Sequence, residues 1–272
     1  MNRVSSATAH CQNKEMALFM QAAARAALTA GSIVRELYGK PHTIQMKGPI
    51  NLVTESDLAA ETAIIASLNE DAPGIAVLAE ESADDNLKEP EGRVWVVDPL
   101  DGTTNFAHGL PLFAVSIALL DDGVPQVGVI YCPMQDELFT CCRGGGSWLD
   151  GREIRVTETR FLLESLVATG FPYDIYTYLD TILRQLKAVL PKVRDIRRCG
   201  AAAVDLAYVA CGRLDGFWEM DLKPWDTAAG WLLVEEAGGK VTGFDGRPYS
   251  SFARKILASN GVLHSNLLEL LS

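Results

Sequence analysis

The chain has 272 residues and carries 24 Lys and Arg against 35 Asp and Glu, a net charge of −11. That length allows one large domain or two fused halves, and 48% hydrophobic residues supply a core without disulfide staples. The acidic balance disfavours direct binding of nucleic acid or an anionic membrane surface.

Residues 16–38, rich in Ala, Leu and Met and ended by Gly39-Lys40-Pro41, predict a long helix. Lys47-Gly48-Pro49-Ile50 reads as an exposed, mobile loop. A second helix is expected over 58–69, capped from Ser56-Asp57. Strands are expected at 76–78, 94–97, 113–119, 126–131 and 137–140, with Asp121-Asp122-Gly123 as a hairpin turn. From Arg160 onward, helices over 179–190, 201–211 and 227–237 alternate with short apolar runs. Gly212 and Gly238-Gly239 supply two of the stops. A strand at 256–258 and a final helix at 265–270 complete the chain. Hairpins followed by αβ alternation predict two layered sheets with helices between and around them. The halves, 1–155 and 156–272, have no low-complexity linker and are expected to fuse into one compact unit.

Cys11, Cys132, Cys141, Cys142, Cys199 and Cys211 form no C-x-x-C pair, which predicts reduced thiols in a cytoplasmic protein. His10, His42, His108 and His264 are scattered without ligand spacing, so zinc is disfavoured. The first residues lack the apolar stretch of a signal peptide, and no uninterrupted apolar run approaches the ~18 residues of a membrane span.

Three apolar runs end in carboxylates. They are Val77-Leu78-Ala79-Glu80-Glu81-Ser82, Trp95-Val96-Val97-Asp98-Pro99-Leu100-Asp101-Gly102-Thr103-Thr104-Asn105-Phe106, and Lys223-Pro224-Trp225-Asp226-Thr227-Ala228-Ala229-Gly230. Singly, each has a plain structural explanation: Asp-Pro and Asp-Gly form turns, paired glutamates are solvated, and Asp226 can cap a helix. Together they predict more. An aspartate leaving a buried strand needs a cation or hydrogen bonds to offset its desolvation. Three such sites converging would form an all-oxygen pocket suited to Mg²⁺.

Leu100-Asp101-Gly102-Thr103 echoes the D-x-D-G-T of haloacid-dehalogenase-like phosphatases, but Pro99 stands where their nucleophile would be. Proline cannot be phosphorylated, so a covalent aspartyl-phosphate route fails. Gly238-Gly239-Lys240-Val241 lacks the spacing and hydroxyl of a phosphate loop, Gly144-Gly145-Gly146 is not G-x-G-x-x-G, and no G-x-S-x-G elbow occurs.

The three carboxylate motifs, with Asn51-Leu52-Val53-Thr54-Glu55-Ser56-Asp57 and the stretch from Arg197 to Glu219, resemble the inositol monophosphatase family over nearly the whole chain. The resemblance implies a layered αβαβα sandwich of the α/β (α+β) class, shared with fructose-1,6-bisphosphatase. It also implies a homodimer that hydrolyses phosphate monoesters with Mg²⁺ and is inhibited by lithium. Carried over residue by residue, Glu80, Asp98 and the Leu100 carbonyl hold one Mg²⁺. Asp98, Asp101 and Asp226 hold a second, and Glu80, through water, takes part in a third, so two to three ions are implied. Gly102 and Thr103 meet the phosphate through backbone N–H groups. Thr103 and Asp57 match the pair that orients a metal-activated water for in-line attack. Lys47 matches a mobile-loop lysine. Asp101, Asp226, Gly200, Ala201, Ala202 and Glu219 match the substrate-binding positions. Ala201 stands where the family often has a hydroxyl or small polar residue, which removes a possible contact with inositol.

Gly102-Thr103-Thr104-Asn105-Phe106 looks like the inositol phosphatase form of its motif, and favours inositol-1-phosphate or a similar polyol phosphate. Fructose-1,6-bisphosphate is the runner-up within the superfamily. From another class, some bacterial members resemble this chain and join transcription antitermination complexes, so a regulatory protein partner is the competing reading. Clustered carboxylates repel unless neutralised, which favours catalysis over a scaffold.

Overall fold

The computed structural model describes residues 3–40, 44–46, 52–84 and 87–272. Helices α1 (Arg3–Thr8) and α2 (Lys14–Leu37) lead into a ribbon of β1 (Ile44–Met46) and β2 (Leu52–Thr54), then helix α3 (Glu55–Asp71). A seven-stranded sheet follows in chain order: β3 (Ala76–Ala79), β4 (Arg93–Asp101), β5 (Ala114–Asp121), β6 (Val124–Cys132), β7 (Glu137–Cys142), β8 (Ser147–Leu149) and β9 (Arg152–Ile154). Helix α4 (Thr103–Ala107) interrupts it after β4. The remaining elements are β10 (Leu166–Thr169), α5 (Ile175–Val189), β11 (Asp195–Arg197), α6 (Ala202–Ala210), β12 (Gly216–Met220), α7 (Pro224–Glu236), β13 (Lys240–Thr242), β14 (Lys255–Ser259) and α8 (His264–Leu271). Their five strands run in the order β11-β10-β12-β14-β13, with β10 parallel to both neighbours and β14 antiparallel to both of its own.

Strand alternation explains the layering. In β4, Trp95 and Val97 join the core under α2 and α3, while Val94 and Val96 join the core under α6 and α7. In the second sheet, Phe217 and Ala258 face that same middle core, and Trp218 and Leu257 face α8 and α5. Both sheets are thus covered on both faces, and the layers run α2/α3, sheet, α6/α7, sheet, α5/α8. This is the expected αβαβα sandwich.

Helix α2 departs from expectation in one respect. By length and composition it could cross a membrane, yet Met20, Ala23, Ala27, Ala30 and Val34 are buried against α3, β5 and β6. Its small residues permit that approach, and a Cβ at Gly31 would collide with the Tyr131 ring.

Helix starts also moved. Helix α3 is capped by Thr54, two residues before the expected Ser56, with Asp57 closing a capping box at the third helical position. Helix α7 begins at Pro224 rather than Thr227, since proline at the first position needs no donor. The expected hairpin turn is present, with φ of 46° at Asp122 and 75° at Gly123. The loop expected at Lys47-Gly48-Pro49-Ile50, and Asn51 of the early motif, lie outside the described residues.

A buried histidine joins β13, β14 and α8. Thr242 Oγ1 donates to the Gly243 carbonyl (2.8 Å) and so accepts from His264 Nε2 (2.9 Å). Ser259 Oγ accepts from Gly261 N–H (3.1 Å) and donates to Nδ1 (2.8 Å). A neutral ring satisfies both hydroxyls, whereas a second ring proton would face a donor. Burial, then nearby Lys240, push its pKa down to about 4 from the ordinary 6.5. The unfolded chain therefore takes up this proton first as pH falls, and stability is lost from pH 6.5 toward 4. Between those pH values the unfolding free energy of the wild type should drop by on the order of 2 kcal/mol more than that of His264→Gln. Urea titrations across the window measure the difference.

Candidate active site

The carboxylate motifs meet at one cleft of about 640 Å³. Glu80, Asp98, Asp101 and Asp226 all line it, together with Leu100, Gly102, Thr103, Gly200, Ala201, Ala202 and Glu219. Residues from both sheets and from the central helix layer therefore share one wall.

Strand β4 delivers two of the aspartates because its pairing with β5 breaks between Asp98 and Asp101. Pro99, which has no N–H, sits inside that irregularity. Asp98 is 1% exposed, and its Oδ1 accepts from the Leu100 N–H at 2.9 Å. Asp101 Oδ2 accepts from Ala203 N–H at 2.7 Å, which joins β4 to the first turn of α6. Gly102 then turns the chain into α4 with φ of 96°. A Cβ there would stand 3.0 Å from the Leu112 carbonyl oxygen, so the turn requires glycine.

Two more carboxylates come from element ends. Glu80 follows β3, and its N–H donates to the Val97 carbonyl at 3.1 Å. Glu61 of α3 accepts from the next N–H, that of Glu81, at 2.9 Å. Asp226 is the third residue of α7, and its Oδ2 accepts from the Lys223 N–H at 2.7 Å. Ser116 Oγ of β5 donates to the Trp225 carbonyl at 3.1 Å, which docks the start of α7 on the sheet.

Asp57 reaches the site from α3. Its Oδ2 accepts from both the N–H (2.8 Å) and the hydroxyl (2.6 Å) of Thr54, and its Oδ1 lies 3.0 Å from Thr103 Oγ1. Thr103 Oγ1 is also 3.0 Å from the Leu100 carbonyl oxygen. One hydroxyl proton thus has two acceptors within reach. Burial raises the Asp57 pKa, while the bonds from Thr54 and Thr103 pull it back.

The electrostatics follow from crowding. Burial first, then the charges of Glu80, Asp101 and Asp226, push Asp98 well above the ordinary carboxylate range. Asp101 is pushed up to about 7, mainly by burial. Glu219, on β12, is also pushed well up by burial, with Asp205 and Asp226 adding to it. Among the described residues no three His, Cys, Asp or Glu side chains close into a ready-made ligand cluster. Four carboxylates and a carbonyl around one cleft nevertheless form an all-oxygen donor set, which fits a hard divalent cation.

Several supporting residues carried no distinct signal in the sequence. Thr54 was legible only as the T-x-x-D of a capping box. Asn105 donates both amide protons, to the carbonyls of Leu112 (2.6 Å) and Cys199 (2.8 Å), and so ties α4 to the loop before α6. This residue of the Gly102–Phe106 motif thus acts as a brace. Arg198 lies with its guanidinium 5.5 Å from the centre of the Phe171 ring. It and Lys223 are the two cations among the described residues that line the cleft. Lys47 lies outside the described residues.

Residues 15–272 match the sequence model of the Inositol monophosphatase family. An "Inositol-1-monophosphatase" of Synechocystis sp. is 42% identical over 260 residues, covering 95% of this chain and 90% of that protein. A "Nus factor SuhB" of Salmonella typhimurium is 43% identical over 240 residues, covering 88% and 90%. Among solved structures, the extragenic suppressor protein suhB from Bartonella henselae superposes with a TM-score of 0.88 at 42% identity, covering 93% of this chain and 98% of that one.

Asp98→Asn keeps an acceptor for the Leu100 N–H and removes one charge from the repelling set. Without divalent cations, this variant should be more stable than the wild type by about 1–2 kcal/mol at alkaline pH. Raised carboxylate pKa values mean that wild-type stability is lost as pH rises from the ordinary carboxylate range toward the raised values, about 7 for Asp101, so the gain should grow across that window. Thermal melts in EDTA measure it, and equal melting at pH 9 would show that the charges do not oppose folding.

Proposed function

The chain belongs to the inositol monophosphatase family and is a phosphoric monoester hydrolase; we propose that it converts inositol-1-phosphate to inositol and phosphate with Mg²⁺. What carries this reading is the convergence of Glu80, Asp98, Asp101 and Asp226 on one cleft beside the Thr103–Asp57 contact. The N-terminal half, 1–155, would supply most of the ion ligands, and the half 156–272 would supply Asp226 and the residues that read the alcohol.

In this proposal Glu80, Asp98 and the Leu100 carbonyl hold one ion, and Asp98, Asp101 and Asp226 a second, with Glu80 serving a third through water. The bound cations would neutralise the carboxylates and increase the acidity of water at the site. An ion on the Leu100 carbonyl would leave Asp57 as the acceptor for the Thr103 hydroxyl proton. The lone pairs of Thr103 Oγ1 are then available to orient an attacking water, and Asp57 is the base that draws its proton through the threonine. The raised pKa of Asp57 suits it to that task. Backbone N–H groups at Gly102 and Thr103 would meet the phosphate. Glu219, with Gly200, Ala201 and Ala202, would face the hydroxyls of the leaving alcohol. Lithium inhibition and a homodimeric assembly belong to the same proposal.

A second reading within the superfamily is a sugar bisphosphate. One observation favours it: Arg198, braced on Phe171, has no ion pair among the described residues and could meet a second phosphate. A protein-binding role rests on the likeness to the Nus factor SuhB relative.

Phosphate release from inositol-1-phosphate should require Mg²⁺ and stop with EDTA. Asp226→Asn should lose at least ~100-fold in kcat while melting within a few degrees of the wild type, because Asn keeps the acceptor for the Lys223 N–H. Turnover near the wild-type rate would remove Asp226 from the catalytic set. Thr54→Val removes one of the bonds that hold Asp57 ionised, and should cut kcat about tenfold while moving the acidic limb of the pH–rate profile upward. An unchanged profile would take Asp57 out of the proton path.

A further inference from the structure

Residues 3–13 lie ahead of the segment that matches the family and contact β8 and the turns that flank β7 and β8. Arg3 pairs with Asp136 (2.5 Å) and Asp150 (2.7 Å). The His10 ring stacks on Trp148 with an interplanar angle of 4°, and Gln12 Nε2 donates to the Gly144 carbonyl. These contacts hold the chain on both sides of Cys11. Cys11 is half-buried against the same apolar cluster that contains Cys142, which is 3% exposed at the end of β7. A Cβ at Gly145 would stand 2.6 Å from the His10 carbonyl oxygen and 3.3 Å from Cys142 Cβ, so Cys142 and the residue preceding Cys11 meet at one glycine. Each thiol is the largest influence on the titration of the other.

We propose that Cys11 and Cys142 form an oxidisable dithiol whose reversible disulfide locks residues 3–13 onto β7. Of the six cysteines, Cys11 alone has its thiol drawn below the ordinary range, by the hydrogen bond from Cys142. Burial pushes Cys132, Cys141, Cys199 and Cys211 upward, and the bond with Cys11 does the same to Cys142. Cys11 is also the more accessible of the pair, which makes it the attacking group. The oxidant is a low-molecular-weight disulfide. The Cys11 thiolate attacks one of its sulfurs and expels the other as a thiolate, leaving a mixed disulfide. The Cys142 sulfur, having given up its proton to solvent, then attacks the Cys11 sulfur and expels the second thiol. Two protein S–H bonds are lost, one S–S bond is gained, and the oxidant leaves as two thiols.

The full-length protein is treated with glutathione disulfide, alkylated, denatured and mapped without reduction. Two of its six thiols should disappear into a Cys11–Cys142 peptide, and dithiothreitol should restore them. Trypsin cleavage after Lys14 should slow at least several-fold, and the melting temperature should rise by several degrees, as expected for a cross-link closing a long loop. Cys11→Ser should show none of these changes. Six free thiols after treatment would overturn the proposal, as would a mixed disulfide that stops at Cys11 or a link to Cys141. None of these readouts depends on phosphatase activity, so the outcome is separate from the substrate reading.

Discussion

Repulsion between buried carboxylates is the constraint around which the molecule is arranged. Asp98, Asp101, Asp226 and Glu80 line one cleft, and burial raises the free energy of the Asp98 and Asp101 charges. A protein of marginal stability tolerates that only where the surrounding structure is heavily determined. Here it is. The two ends of the Asp98–Asp101 irregularity are fixed by β5, the Asp101 carboxylate by α6, and the Asp226 carboxylate by the cap of α7. Each aspartate thus holds a backbone donor, which limits the desolvation cost without removing the charge.

The sandwich makes this possible because no single layer could do it. Strand β4 brings two aspartates, α7 a third, and the turn after β3 the glutamate, while α3 presents Asp57 to Thr103. The middle helix layer, α6 and α7, packs on both sheets. Its apolar helices, buried nearly all round, hold the helix starts against the cleft.

Much of this was legible in the residue order. Val-rich β4 ending in Asp98-Pro99-Leu100-Asp101-Gly102 announced both a buried strand and its chemistry, because desolvated carboxylates are rare without a purpose. Long helices and the Asp122-Gly123 hairpin were readable from local propensity alone. The short strands β10 to β13 were not, since three to five residues give too few repeats for a period to show, and their pairing is decided by tertiary contacts. The start of α3 was misread because Ser56 and Thr54 are both good caps, and only the reciprocal bond with Asp57 decides between them. The roles of Arg198 and Asn105 were not readable from their motifs, because each acts through a partner far away in sequence.

The Asn105 brace has a mechanical consequence. Its amide joins the carbonyl of Leu112, ahead of β5, to that of Cys199, ahead of α6, while its own helix carries Thr103. The loop at 197–201 and the turn at 102–104 therefore form one stiff corner, although they belong to opposite halves of the chain. Pressure on that loop is passed to the threonine hydroxyl through the Asn105–Cys199 hydrogen bond and one helical turn. The fit of the outer wall and the alignment of the Thr103–Asp57 contact become a single variable, so a change in one cannot be tuned independently of the other.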